Sequence, residues 1–137
     1  MQTVYRLKDD WQHIERVQHA TLTTKDFGLQ PTHGLFGSED WWNRIETREL
    51  QLHTLKGVIT KVYMGSMNDW PMFAIKDAAG HEEHFTREAN SSEQGSFYKQ
   101  ECIAEIDYVW QTARRGFWNK GADRKIIVEI RVKERDD

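Results

Sequence analysis

Residues 111–125, QTARRGFWNKGADRK, combine two kinds of chemistry. Five cations (Arg114, Arg115, Lys120, Arg124 and Lys125) surround Phe117 and Trp118, with Asp123 the only anion. The segment carries a net charge of +4 in a chain of net −3, so the remainder carries −7. Guanidinium and ammonium groups hold carboxylates or phosphates, and indole and phenyl rings supply broad apolar contact. Arg and Trp are enriched at protein-binding hot spots, so the segment suits a protein partner. Aromatic rings beside a cationic track are also what single-stranded nucleic acid needs, because bases stack on rings while phosphates meet cations. The segment GSMNDW, residues 65–70, adds Met67 and Trp70 as a second aromatic loop.

Other constellations carry less. HEEHF, residues 81–85, holds two histidines three apart. The zinc-protease pattern needs them four apart on a helix, and this segment reads as a strand, where His81 and His84 point to opposite faces. Cys102 stands in register with Ala104 and Ile106 and is expected in the core, away from the electropositive exposure a nucleophilic thiol requires. Glu105 and Asp107 share a strand face, where cross-strand cations account for them more simply than acid–base work. PTHGLFG, residues 31–37, lacks the Gly-Lys-Ser/Thr ending of a phosphate loop, and His33 reads as a structural loop histidine. The sequence therefore predicts no catalytic constellation, no metal site and no cofactor.

These loops need a frame. SEDWWNRIETREL predicts a helix over about residues 39–47, since Ser38 is a good N-cap and Glu39 and Asp40 suit the positive end of a helix dipole. DDWQHIERVQHA predicts a short helix with Trp11, Ile14 and Val17 at helical spacing, turning strand-like at residues 21–24. From residue 50 onward the pattern is five strands. The first runs over residues 50–64, with a phase slip at Gly57 that predicts a bulge or coil. The second covers 72–76, the third is a polar edge strand over 81–87, and residues 88–100 connect. In the fourth, Cys102, Ala104, Ile106, Tyr108 and Trp110 alternate onto one inward face. In the fifth, Ile126, Val128, Ile130 and Val132 face in. Antiparallel pairing of the last two sets Asp107 opposite Arg131 and Glu105 opposite Lys133.

A long strand broken by glycine, a meander, a connection and a final hairpin over about residues 50–134 resemble an OB-fold, a five-stranded, partly open Greek-key barrel. The resemblance is one of architecture. It implies that residues 65–70 and 111–125 flank a ligand face. An SH3-like or other small antiparallel barrel is the alternative. The expected fold is mainly β, in one domain, with residues 1–48 packed on the barrel as an extension.

The 137 residues include six Trp, six Phe and four Tyr, enough to build a core without disulfides. One cysteine excludes an intramolecular disulfide and points to a reducing compartment. No secretory signal or membrane span is legible, so the expected location is the cytoplasm. The expected function is a non-enzymatic binding module for a protein partner, either an adaptor or an inhibitor of the immunity kind. The alternative is a single-strand nucleic-acid module. The expected contact residues are Met67, Trp70, Arg114, Arg115, Phe117, Trp118, Lys120, Arg124 and Lys125.

Overall fold

A computed structural model of the chain describes residues 1–23, 29, 34–65, 70–112 and 123–135. The strands are β1 (Gln2–Arg6), β2 (His53–Met64), β3 (Pro71–Lys76), β4 (Glu82–Thr86), β5 (Ile103–Thr112) and β6 (Asp123–Lys133). The helices are α1 (Trp11–Thr23), α2 (Glu39–Glu46) and the single turn α3 (Ser92–Gly95), and a 3-10 turn over Leu7–Asp9 precedes α1. No helix of the described residues is long and apolar enough to cross a membrane.

The fold is mainly β and antiparallel, as expected, but the sheet has six strands in the order β1-β6-β5-β2-β3-β4. It does not close. The N-terminal residues, expected to lie outside the barrel, supply β1. That strand takes the edge of β6 that closure would have used, leaving β1 and β4 as the two edges. β1 escapes a periodicity search because its register shifts between Thr3 and Tyr5. Val4 and Tyr5 are consequently both buried in sequence, with no polar residue between them. The β1 edge is capped by a side chain. The Arg6 amide donates to Asn90 Oδ1 at 2.7 Å, and Asn90 Nδ2 donates back to the Arg6 carbonyl at 3.1 Å. The Asn90 side chain thus imitates one step of a ladder.

The helices follow their local signals. The Ser38 hydroxyl accepts from the Trp41 amide at 3.2 Å, opening α2 with Glu39 and Asp40 in its first turn. Helix α1 runs past the point where the sequence turns strand-like. Thr21 and Thr23 donate their hydroxyls to the carbonyls of Val17 and His19 four residues back, at 2.8 and 2.6 Å. That satisfies β-branched threonines within a helix. The β3–β4 hairpin turns on Asp77, whose Oδ1 accepts from the amides of Ala79 and His81, both at 2.9 Å, with Gly80 at φ +86°.

The residues form two compact units: Met1–Arg6, Thr54–Asp107 and Val128–Asp137 in the first, Leu7–His53 and Tyr108–Ile127 in the second. The first buries Ile59, Phe73, Ile75, Ile106 and Ile130. Tyr98 joins that core against Phe73, ring centroids 4.7 Å apart, and its hydroxyl donates to the Glu88 carbonyl. Burial pushes its phenol well above the usual range. The second unit is centred on Trp41 and Phe36, T-shaped with centroids 5.0 Å apart, with Leu7, Ile14 and Leu50 also buried.

Gly57 has a different role from the bulge expected there. The register shift in β2 falls between Ile59 and Lys61. At Gly57 the β3 backbone comes so close that a Cβ would lie 2.6 Å from the Lys76 carbonyl oxygen. Gly57→Ala should therefore cost about 1–3 kcal/mol, as overpacking against backbone does. A urea midpoint unchanged from wild type would show that this contact yields freely.

Candidate functional site

The ends of β5 and β6 nearest the 113–122 connection carry an aromatic and cationic face. Tyr108 and Trp110, two residues apart on β5, meet edge to face with centroids 5.9 Å apart. His53, at the start of β2, stacks on Tyr108 at 5.3 Å and 20°. Lys125 of β6 places its ammonium 4.6 Å from the Tyr108 ring centre and 5.3 Å from that of Trp110. A cation over two rings is held in place, which lowers the entropy lost when a partner covers it. Trp110 remains 45% exposed, Leu52 beside His53 is 41% exposed, and Arg124 is exposed.

This corrects the inward-facing strand expected for β5. Ala104 and Ile106 are buried in the first unit, whereas in the second unit the buried positions are Val109 and Gln111. Gln111 is buried because it has a donor: the Trp41 indole N–H reaches its Oε1 at 2.9 Å. Tyr108 is left half-buried and Trp110 outward. Sequence reading therefore missed His53, Tyr108 and Trp110 as surface residues. The available signal was a Tyr-x-Trp pair leading directly into a basic segment, and alternation alone assigned it to the core.

Of the residues expected to make contact, Trp70, Arg124 and Lys125 are described. Met67, Arg114, Arg115, Phe117, Trp118 and Lys120 lie outside the described residues, as does His33. Trp70 belongs to the first unit, is 57% exposed, and donates its indole N–H to Thr86 Oγ1 at 2.9 Å. Lys125 joins the aromatic face of the second unit.

The remaining polar candidates have structural partners. Arg131 binds Asp107 through two N–H groups, at 2.8 and 3.0 Å, reaches Glu105 at 3.4 Å and also bonds Glu129. One arginine thus does the work expected of two cross-strand pairs. Burial alone would raise the Asp107 carboxyl. Hydrogen bonds from Arg131 and Thr54, with the Arg131 charge, outweigh it and hold the carboxyl below its usual range. His84 Nδ1 lies 2.6 Å from the Tyr63 hydroxyl, and His81 lies 3.7 Å from Asp77. Cys102 is buried. Among the described residues no group of three or more His, Cys, Asp or Glu is placed to hold a metal ion.

What these features offer is an exposed indole and an ammonium held over two rings, groups suited to contact with another molecule. No curated protein matches the chain. A family model described as "Immunity protein RhsI2" matches residues 1–133, which takes in every strand and helix described above. On that near-complete match, the chain belongs to the immunity protein RhsI2 family.

Proposed function

We propose that this protein neutralises a toxin by binding it, and that the Tyr108–Trp110–Lys125 face and the adjoining 113–122 connection make the central contacts. The match to an immunity family over residues 1–133 carries the reading: it supports a protein-binding, inhibitory role and implies a protein partner. Such a role requires affinity and exclusion, with no reaction to perform. The face suits it. Trp, Tyr and Arg are enriched at hot spots, Trp and Tyr because they bury large area on only two rotatable bonds, and Lys125 is already ordered by two rings. The family match lends no support to a nucleic-acid ligand. The −7 charge outside residues 111–125 also opposes a polyanion, while the +4 of residues 111–125 favours an acidic patch on a protein partner.

The test is Trp110→Ala combined with Lys125→Glu. Affinity capture with the wild-type protein identifies the toxin, and calorimetry then compares the two forms. Loss of one hot spot worth about 2 kcal/mol weakens binding roughly 30-fold, so at least that loss is expected, with the melting temperature nearly unchanged. Affinity within threefold of wild type would move the interface elsewhere. A labelled single strand that bound at low salt and dissociated as salt rose would revive the nucleic-acid reading.

A further inference from the structure

The first unit contains a cleft of about 320 Å³ that the toxin-binding reading does not use. Its apolar lining comes from Met1, which is exposed, Phe97, which is half-buried, and Cys102 and Val132, which are buried. Its charged lining comes from Lys99, Lys133 and Glu134. Neither lysine ammonium has an ion-pair or hydrogen-bond partner among the described residues. Glu101, the nearest acid in sequence to Lys99, is engaged by Arg135 at 3.3 Å. Two unpaired cations against one carboxylate leave the cleft positive within an acidic chain.

The walls are fixed before any ligand arrives. The Glu101 amide donates to the Ile59 carbonyl and the Ile59 amide to the Cys102 carbonyl, both at 2.8 Å. The Cys102 amide closes a turn onto the Lys99 carbonyl at 3.2 Å. On the other side Gln2 pairs with Val132, and Gln94 Nε2 ties α3 to β1 through the Thr3 carbonyl at 3.1 Å. A preformed apolar hollow with few convergent polar groups is the usual make-up of a small-molecule site. The volume is near the lower end for such sites, roughly ten water volumes at about 30 Å³ each.

We propose that this cleft binds a small organic anion with an apolar body: a carboxylate or sulfonate held by Lys99 and Lys133, and a hydrocarbon or aryl portion against Phe97, Val132 and Cys102. A bare inorganic anion would leave the apolar lining uncovered. An apolar cation would face two ammonium groups.

Decanoate, kept below its micelle concentration, is a suitable probe, with decyltrimethylammonium and 1-decanol as controls of matched chain. Binding is read from the backbone amide resonances of Cys102, Val132 and Lys133. It is read independently from the rate at which N-ethylmaleimide modifies Cys102, the chain's single thiol. Decanoate should give saturable shifts at those amides and slow the thiol reaction at least fivefold. Lys99→Glu with Lys133→Glu should weaken it at least tenfold, and Lys99→Gln with Lys133→Gln should weaken it to a smaller degree. Absence of saturable shifts overturns the proposal. So does binding of the cationic or the uncharged analogue as tight as that of decanoate, or affinity that survives the charge reversal. None of these results depends on the toxin, so the two readings stand or fall separately.

Discussion

Replacing Trp41 by alanine is expected to remove about 3–5 kcal/mol, the usual cost of truncating a large buried aromatic. Trp41 is fully buried, lies T-shaped against both Phe36 and Trp42 (centroids 5.0 and 4.7 Å), and donates to Gln111. Domains of this kind are stable by about 5–15 kcal/mol in total, so the loss is a large share of what holds the chain folded. Trp41→Phe separates two contributions. Phenylalanine keeps most of the contact with Phe36 but takes the indole donor from the buried Gln111 amide, a loss worth about 1–3 kcal/mol. Urea unfolding of the three proteins is the measurement. A loss under about 1 kcal/mol for Trp41→Ala would mean that the second unit is not organised around this side chain.

Arg131→Met is the second large effect, and its size depends on pH. At neutral pH the change leaves Glu105, Asp107 and Glu129 without the guanidinium that three carboxylates share, although Arg6 still reaches Glu129 at 3.1 Å. Removing one partner from a fully buried ionic group costs about 3–5 kcal/mol. Here the side chains are 13–26% exposed, so about 2–3 kcal/mol is expected. The Asp107 carboxyl is held below its usual range in the folded state. Its contribution is therefore fully present above the ordinary carboxylate value near 4 and is lost as pH falls through the depressed folded value. The variant lacks that contribution, so the gap between wild type and Arg131→Met should narrow progressively as pH falls below about 4. Urea midpoints at pH 7 and pH 3 test this. A gap that stays constant, or widens in acid, would show that the arginine acts by packing its stem and not by charge.

The same residue shows how far the sequence could be read. Opposite charges on two neighbouring strands were legible as pairs, and Asp107–Arg131 is present. Glu105 was expected to meet Lys133. A guanidinium has several donors in a planar fork, so one arginine can serve several carboxylates, and Lys133 is left for the cleft. Helix α2 was legible almost to the residue, because capping is local: Ser38 and the acidic first turn lie within four residues of what they stabilise. The edge character of β4 was legible from its polar residues. The aromatic face was legible only in part. Lys125 was expected to make contact, but Tyr108 and Trp110 read as core.

The sequence by itself determined the mainly β, antiparallel character, the position of α2, the β3–β4 hairpin and the burial of Cys102. All of these rest on residues close together in the chain or on a simple period of two. Tertiary structure alone decided that β1 exists, since its partner β6 lies far away in sequence, as in the Arg6–Glu129 contact across 123 residues, and a shift in register erases its alternation. It also decided which side of β5 is covered in the second unit. A strand's alternation names two faces, but which of them is buried depends on what packs there. The indole of Trp41 reaches Gln111, a polar side chain made stable in the interior by that hydrogen bond, and Trp110 is left at the surface where a partner can reach it.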